Sequence, residues 1–326
     1  MPIEEKLYDI FGGSVGQNQA LSELSNWKIG GRIRYVVRPQ NINQLRSLLH
    51  ALKETRFPYL VIGRGSNILF TDEDVEAVLI ILEGEFCDIE ICPENGNVVV
   101  GAAVWMPRLV RKIGSAGLGG AEHLIGIPGS VGGVTAMNGG SNRRSISENI
   151  SEITSIDLDG NIIRRSVGEC EFSYRASCYQ SNREIILNVS LSFMPGLRPL
   201  DIKKEMRLIL KSRRNKFPLG LPNCGSVFMA DPLKYTDFGP PGKILDELGM
   251  KGISIGGANI SSVHANFIVN SGNASASDVL ALVKVAMAKV ECKYPDYRLL
   301  SEIKYCNTHA ELIPLHAAVL KHEQAI

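Results

Sequence analysis

The chain has 326 residues, of which 44% are hydrophobic and 21% charged, and its formal net charge is +1. The apolar content excludes an intrinsically disordered protein, and the balance of 35 basic against 34 acidic residues argues against a dedicated nucleic-acid binder. At roughly 100–200 residues per domain, the length predicts two or three domains.

Membrane and targeting signals are absent from the sequence. No stretch reaches the roughly 18 consecutive apolar residues of a membrane helix, and the N-terminus has no apolar signal core. Seven cysteines are scattered without a C-x-x-C pair, which favours reduced thiols over disulfides or zinc. We therefore expect a cytoplasmic protein without a metal, a membrane or an obligate protein partner.

The first part of the chain reads as a β-α-β unit. Residues 1–25 predict a helical lead-in with a glycine break at Gly12 and Gly13. A strand over 27–39, an amphipathic helix over 41–56 and a short strand over 59–62 follow.

From residue 75 onward the pattern becomes rich in strands. One helix is predicted near 106–114, and the residues from Gly114 to Asn142 include ten of the 32 glycines. That density indicates that the functional surface of this segment is formed by its backbone more than by its side chains. The predicted strands cover residues 75–82, 86–92, 97–104, 150–157, 162–166 and 185–193.

A turn-rich break from Pro195 to Pro199 is a plausible domain boundary. The segment after it predicts helices over 201–216, 243–248 and 275–292, and strands over 224–229, 253–255, 267–270 and 299–305. The last twenty residues read as a peripheral helix or a loose tail.

Two glycine-rich loops are candidates for binding an anionic group. The first is G-R-G-S-N at 63–67, which follows a strand and lacks both the P-loop lysine and the G-x-G-x-x-G spacing. The second is I-G-I-P-G-S-V-G-G at 125–133 with M-N-G-G at 137–140. Two such loops suggest a pyrophosphate held between two subdomains, whereas the alternatives are a tight turn for the first and packing glycines for the second.

Three polar residues outside the loops suggest chemistry. Arg175 in S-Y-R-A-S suits a substrate carboxylate, Ser226 in N-C-G-S-V-F suits a proton donor, and Glu302 stands in an apolar strand that would raise its pKa. Arg175 alone also reads as a surface ion-pair residue. Cys224 is a rival nucleophile or simply a buried thiol. No G-x-S-x-G elbow is present, which disfavours a hydrolase.

Taken together, the motifs resemble one family, the UDP-N-acetylenolpyruvoylglucosamine reductases of peptidoglycan precursor synthesis. The match runs in order over roughly residues 25–305, and the short spacing from Arg175 to Ser226 resembles the short-loop (type II) branch. Its motifs are N-W-K-I-G-G, G-R-G-S-N-I-L, G-I-P-G-S-V-G-G, M-N-x-G, Y-R-x-S, C-G-S-V-F, G-K-x-x-D-x-x-G-x-K-G, I-G-G-A, H-A-N-F-I-V-N and E-I-K.

The resemblance implies an α+β fold. An FAD-binding domain of the vanillyl-alcohol-oxidase (PCMH) type is expected over 1–198, with subdomains of about 1–70 and 71–198 that hold FAD between them. An α+β substrate-binding domain is expected over 199–308, followed by a tail over 309–326.

Residue matching implies three groups of site residues. The catalytic group is Arg175, Ser226 and Glu302. The FAD group is Gly63, Arg64, Gly65, Ser66, Asn67, Gly129, Ser130, Gly132, Asn138, Gly140, Ile186 and Arg213. The substrate group is Arg175, Asn223, Lys243, His264, Asn266 and Lys304.

The implied reaction transfers hydride from NADPH through FAD to C3 of the enolpyruvyl ether of UDP-N-acetylglucosamine. Arg175 would stabilise the charge that develops on C2 and the carboxylate, with help from Glu302 only if that acid is protonated, and Ser226 would protonate C2. FAD supplies the redox chemistry, and the protein supplies position and electrostatics.

Several positions differ from the usual family pattern and leave a related UDP-sugar enol ether open as the substrate. They are Thr135, Gly139, Ser141, Asn142 and Lys304, the last of which keeps a charge but loses the planar fork of arginine. Two further alternatives are an FAD-dependent oxidase of the same superfamily, which has no need for the Ser226 and Glu302 segments, and a nucleotide-binding regulator that has lost turnover.

Overall fold

The computed structural model of the protein describes residues 1–323. Its α-helices are α1 (Ile3–Phe11), α2 (Leu21–Leu24), α3 (Ile42–Thr55), α4 (Met106–Ser115), α5 (Val131–Ala136), α6 (Pro199–Lys216), α7 (Tyr235–Phe238), α8 (Pro241–Glu247), α9 (Ala276–Lys293) and α10 (Leu315–Glu323).

The strands alternate with these helices along the chain. They are β1 (Gly16–Ala20), β2 (Arg32–Val37), β3 (Tyr59–Val61), β4 (Ile68–Phe70), β5 (Val75–Ile80), β6 (Ile89–Cys92), β7 (Asn97–Gly101), β8 (Gly140–Ser141), β9 (Arg144–Ser145), β10 (Ile150–Ile156), β11 (Ile162–Ser166), β12 (Ile185–Ser192), β13 (Ser254–Ile255), β14 (Ala258–Ile260), β15 (Ile268–Asn270), β16 (Lys304–Cys306) and β17 (Leu312–Pro314).

The backbone contacts divide the chain into two compact units that interleave along the sequence. The first unit comprises 1–16, 35–64 and 78–213, and the second comprises 17–34, 65–77 and 214–326. The predicted domains, by contrast, are continuous segments.

The first unit is built on an antiparallel sheet in the order β11-β10-β12-β7-β6. Alternate residues of β10 and β12 are buried in one large apolar core, to which α3, α4 and α5 contribute. Helix α3 begins where predicted, because the Asn41 side chain accepts a hydrogen bond of 3.0 Å from the Gln44 amide.

The second unit has its own core beneath two small sheets, β13-β14-β15 and β17-β16-β4. In the latter, β16 pairs parallel with β4 and antiparallel with β17. Helix α9 packs on this core, and its first turn is capped by the carboxylate of Asp72, which accepts bonds of 2.6 and 3.0 Å from the amides of Ala276 and Ser277.

Several sequence predictions differ from the structure. The strand predicted over 27–39 begins only at Arg32, and the strand predicted over 299–305 begins only at Lys304. Before Arg32, Lys28 and Gly30 have positive φ of 58° and 137°, which interrupts an extended strand. Strand β1 was missed because its residues, G-Q-N-Q-A, lack an apolar alternation. The strand predicted over 224–229 is extended but forms only one isolated bridge, between Phe228 and Ser301.

A further difference concerns the C-terminal tail. The prediction left open a peripheral helix or a loose tail, and the structure places β17 and α10 there. Leu315, Ala318 and Val319 of α10 are buried in the core of the second unit. Within the part of the chain that is described, the tail is therefore packed structure.

Trp27 ties two distant motifs of the second unit together. Its side chain is fully buried, its indole Nε1 donates a 2.7 Å hydrogen bond to the Ile268 carbonyl, and its own carbonyl accepts a 3.0 Å bond from the Asn270 side chain. The N-W-K-I-G-G and H-A-N-F-I-V-N segments are thereby held side by side.

We predict that Trp27→Phe destabilises the protein by about 1–3 kcal/mol, because the buried Ile268 carbonyl loses its partner. The measurement is the shift in the urea unfolding midpoint followed by circular dichroism. Trp105→Phe is the matched control, since Trp105 is 38% exposed, and a midpoint shift no larger than the control's would refute the role given to the indole.

Candidate functional site

The two glycine-rich loops meet inside the first unit. A Cβ at Gly63 would lie 2.0 Å from the Ser130 Oγ, so only glycine allows this approach. Ser130 is buried and caps α5, where its hydroxyl accepts a 3.3 Å bond from the Gly133 amide. The predicted juxtaposition of Gly63 and Ser130 is thus present in the structure.

Glycines of the second loop also serve close packing. The Gly132 amide donates a 2.8 Å hydrogen bond to the Ala102 carbonyl, and a Cβ at Gly132 would lie 2.9 Å from the Ala102 Cβ. The Gly129 carbonyl accepts a 3.0 Å bond from the Met106 amide. The Gly132 amide is thus bonded within the chain, and the assignment of Gly132 to FAD stays a prediction.

A partly buried arginine, Arg213, approaches the same loop from α6. A Cβ at Gly126 would lie 2.2 Å from Nε of Arg213, so the guanidinium packs directly on the loop backbone. Burial lowers the pKa of Arg213 from its ordinary value. The predicted FAD residue Ile186 is buried on β12. A cation beside glycine backbone is a donor set that suits a phosphate or pyrophosphate.

Arg175 stands in a tight turn of the first unit. Ser173 and Ala176 pair across the turn, and Arg175 has φ 58°, in the left-handed region that side chains rarely adopt. Its guanidinium donates to the carbonyls of Asn138 at 3.5 Å and Gly140 at 3.3 Å. Backbone strain at a predicted catalytic residue fits a functional constraint on its direction.

Asn138 holds this turn from the other side. Its Nδ2 donates a 2.8 Å bond to the Ser173 carbonyl, and its own φ is 42°. Gly140 must be glycine, because a Cβ there would lie 1.8 Å from the Arg144 carbonyl. The predicted M-N-x-G residues are thus brought together with Arg175.

One departure from the family pattern has a local cause. Asn142 and Arg143 form the two-residue loop between β8 and β9, with φ of 55° and 62°. A two-residue loop with positive φ at both positions favours asparagine. Asn142 therefore serves the hairpin turn.

Sequence reasoning missed residues that support the Arg175 turn. Gln180 Nε2 donates to the carbonyls of Arg175 at 2.9 Å and Ala136 at 3.1 Å, and the Ser177 hydroxyl donates to the Ala136 carbonyl at 2.7 Å. These side chains contact only backbone, and no motif spacing would have identified them.

Gly65, Ser66 and Asn67 of the first loop belong to the second unit, whereas Gly63 and Arg64 belong to the first. Gly65 has φ 58°, and a Cβ there would lie 2.1 Å from the Leu24 carbonyl oxygen. Ser66 is half-buried. Asn67 donates through Nδ2 to the Glu302 carbonyl at 3.0 Å and accepts a 3.1 Å bond from the Lys304 amide. The predicted Asn67, Glu302 and Lys304 are therefore direct neighbours.

Ser226 and Glu302 lie on adjacent extended segments. The Glu302 amide donates a 2.9 Å hydrogen bond to the carbonyl of Val227, the residue after Ser226. The bridge between Phe228 and Ser301 continues this antiparallel pairing. The Ser226 hydroxyl and the Glu302 carboxyl are thus carried on paired backbone segments.

Two asparagines predicted to bind substrate hold the Ser226 segment. Asn266 accepts a 2.9 Å bond from the Phe228 amide and donates one of 2.9 Å to the Phe228 carbonyl, so both ends of its amide contact backbone. Asn223 accepts from the Gly225 amide at 3.0 Å and donates to the Leu221 carbonyl at 2.8 Å. Both side chains position the residues on either side of Ser226.

His264 packs against Gly242, the residue before Lys243. A Cβ at Gly242 would lie 2.6 Å from the His264 ring, which also stacks near Phe217 and Phe267. Burial, with the nearby Lys251, lowers the pKa of His264. Lys243 is exposed and pairs with Glu247 at 3.6 Å, while burial lowers the pKa of Lys304.

Cys224 is excluded as a nucleophile by its surroundings. The thiol is buried, its Sγ lies 3.5 Å from the Gly65 carbonyl, and burial raises its pKa to about 12. A thiol protonated at neutral pH is unreactive. Cys224 is therefore a buried thiol, which is the second of the two alternatives that the sequence offered for it.

We predict that Gly63→Ala destabilises the protein by about 1–3 kcal/mol, because the added methyl overlaps the Ser130 hydroxyl. Gly133→Ala is the matched control, since its Cβ would approach Ser130 Oγ only to 3.3 Å. Thermal unfolding measures both, and Gly63→Ala combined with Ser130→Gly is expected to recover stability. An equal loss in both single variants contradicts the contact.

Two family descriptions match the chain. Residues 33–166 match an FAD binding domain, and residues 217–306 match the C-terminal domain of UDP-N-acetylenolpyruvoylglucosamine reductase. The order of these matches and the mixed helix and sheet structure confirm the predicted fold class.

Relatives match over nearly the whole chain. UDP-N-acetylenolpyruvoylglucosamine reductase 1 of Corynebacterium glutamicum is 36% identical over 314 residues, which cover 96% of this chain and 92% of the relative. The reductase of Halalkalibacterium halodurans is 37% identical over 290 residues, covering 89% and 94%.

A solved structure agrees with these relatives. The crystal structure of UDP-N-acetylenolpyruvylglucosamine reductase (MurB) from Thermus caldophilus superposes with a TM-score of 0.74 at 30% identity, covering 88% of this chain and 97% of that one. Within residues 1–323, no helix is long and apolar enough to cross a membrane. The identities and coverage together place the protein: the chain belongs to the UDP-N-acetylenolpyruvoylglucosamine reductase family.

Proposed function

We propose that the chain reduces the enolpyruvyl ether of UDP-N-acetylglucosamine to UDP-N-acetylmuramate, with FAD as its cofactor and NADPH as hydride donor. The observation that carries the proposal is the pairing of the Ser226 and Glu302 segments through the Glu302 amide and the Val227 carbonyl. A proton donor and an acid on paired segments suit the reduction of an activated alkene.

The residues of the first unit fit FAD. The contact of Gly63 with Ser130 brings two glycine loops together, and Arg213 adds a cation at Gly126 of the second loop. Such backbone, hydroxyl and guanidinium groups suit the pyrophosphate of a dinucleotide. FAD held by these loops, Ser130 and Arg213 would supply the hydride-transfer chemistry between NADPH and the enolpyruvyl group.

Arg175 is assigned to the substrate carboxylate. Its guanidinium is aimed by a strained turn and held by the carbonyls of Asn138 and Gly140. As hydride adds at C3, negative charge develops on C2 and the carboxylate, and a guanidinium fork stabilises it on both oxygens.

Glu302 and Ser226 complete the proton chemistry. Glu302 stabilises the developing charge as a neutral acid, because an ionised carboxylate would repel it. Ser226 gives its proton to C2. Asn223 and Asn266 act by fixing the backbone around Ser226, since their amides are bonded there.

The polar residues beyond this group are assigned to the nucleotide sugar. Lys243 and Lys304 carry charges suited to phosphate or carboxylate oxygens, and His264 offers a neutral ring because its pKa is lowered. Lys304 in place of the commoner arginine keeps a related UDP-sugar enol ether as the second candidate substrate.

We also infer a cytoplasmic location without an obligate protein partner. Within the described residues all seven cysteines are free thiols, as expected of a reducing compartment.

The direct test is an anaerobic titration of the purified protein. We expect a flavin absorbance spectrum that NADPH bleaches and that the enolpyruvyl UDP-sugar restores. Oxygen consumption with an alcohol, without bleaching by NADPH, would instead favour the FAD oxidase, and bound flavin that NADPH never bleaches would favour a regulator.

We predict that Ser226→Ala leaves flavin reduction by NADPH nearly unchanged and slows reoxidation by the enol ether about 100-fold or more, because general acid catalysis is lost. Stopped-flow absorbance of each half-reaction is the measurement. Ser262→Ala, at an exposed serine of the same unit, is the control. Equal slowing of both halves argues against the proton-donor role.

Arg175→Lys is expected to slow reoxidation by the enol ether about 10- to 100-fold, since a point charge replaces a fork and loses a charge-assisted hydrogen bond. Arg164→Lys, at an exposed arginine of the same unit, is the matched control. Near-normal reoxidation in Arg175→Lys would remove this residue from the carboxylate site.

A further inference from the structure

The C-terminal helix α10 begins next to the segment that carries Glu302. The match to the reductase C-terminal domain ends at residue 306, so α10 lies beyond the matched region. Its residues Leu315, Ala318 and Val319 are buried in the core of the second unit. The helix is therefore firmly packed and a stable base for contacts to its neighbours.

Four hydrogen-bond contacts join the start of α10 to the residues on both sides of Glu302, and one of them is a 2.9 Å contact between the Ser301 hydroxyl and Nδ1 of His316. The Ser301 amide donates to Nδ1 of His316 at 3.0 Å, and the His316 amide donates to the Ser301 hydroxyl at 3.2 Å. The Leu315 amide donates to the Ile303 carbonyl at 3.0 Å. Ser301 and Ile303 are thus both fixed by α10.

The backbone of Glu302 itself is held from two other directions. Its amide donates to the Val227 carbonyl at 2.9 Å, and its carbonyl accepts from Asn67 Nδ2 at 3.0 Å. Ser301 and Ile303 are bonded to α10, and the Glu302 backbone is bonded to Val227 and Asn67. These contacts together determine the direction in which the Glu302 side chain leaves the backbone. The one side chain that α10 contributes to them is His316.

The imidazole is suited to this task in its neutral form. Nδ1 must be unprotonated to accept the Ser301 amide, which leaves the proton of the neutral ring on Nε2. Burial and the charge of Lys304 lower the pKa of His316. The ring therefore remains an acceptor at neutral pH.

We propose that α10, through the His316–Ser301 hydrogen bonds, is a positioning element for Glu302 in the reaction with the enol ether. The inference rests on the proposed function of Glu302. His316 acts through Ser301 and does not contact the reacting atoms. Its loss should therefore impair the step that uses Glu302 and spare flavin reduction by NADPH.

The test compares two substitutions of similar size. Asparagine places an acceptor near the position of Nδ1, whereas leucine removes it. We expect His316→Leu to slow reoxidation of the flavin by the enol ether about 10- to 100-fold, as for a small displacement of a catalytic group. His316→Asn is expected to restore most of the rate, and both variants should be reduced by NADPH normally.

A readout independent of turnover accompanies the kinetics. Hydrogen exchange of a peptide spanning 299–306, followed by mass spectrometry, is expected to accelerate in His316→Leu and to remain slow in His316→Asn. Leu320→Ala is the control for the helix, because Leu320 is 51% exposed on it. It should leave exchange and both half-reactions unaltered.

The outcomes separate this inference from the proposed function. If the unaltered protein fails to reduce the enol ether, the proposed function is wrong. If it succeeds and His316→Leu reoxidises normally, or if both half-reactions slow equally without rescue by asparagine, the positioning role is wrong. Should His316→Leu not fold, His316→Gln replaces it, since its amide lies at the position of Nε2.

Discussion

The hydrogen bond from the Glu302 amide to the Val227 carbonyl is the constraint on which the chemistry of the second unit depends. It pairs two segments that lie about 75 residues apart in the sequence, and each carries one proposed catalytic side chain. Neither segment forms a long strand, so the pairing relies on additional hydrogen bonds from other residues. Asn266 bonds both backbone groups of Phe228, and Asn67 and α10 hold the Glu302 side. Many short-range contacts thus replace a regular sheet in positioning the site.

In the first unit, glycines allow the loops to pack closely together. Its loops approach so closely that added side-chain atoms would overlap at Gly63, Gly126 and Gly140. Glycine is used there for close packing, and the cationic and hydroxyl groups come from Arg213 and Ser130. The strained Arg175 turn is held by the same region through Asn138. Loop packing and the direction of the proposed carboxylate ligand are therefore coupled.

Much of the fold follows from local patterns. The apolar periodicity and the Asn41 cap identify α3, and β-branched runs identify β10 and β12. The predictions that were wrong depend on long-range contacts. Nothing local in 224–229 indicates that this segment pairs through separate hydrogen bonds to Asn266, Leu300 and Glu302 instead of a regular ladder. The polar strand β1 carries no periodic signal at all.

The candidate site divides in the same way. The sequence by itself determined which residues are chemically suited to the reaction, because ordered motifs preserve Arg175, Ser226 and Glu302. Only the tertiary structure decided how each of these residues is held. The side chains of Asn138, Asn266 and His316 form hydrogen bonds with backbone groups of residues that lie elsewhere in the sequence. The tertiary structure also showed that the Gly132 amide and the Cys224 thiol are already bonded within the chain. Motifs record side-chain chemistry, whereas the partners of buried polar groups are set by the folded chain.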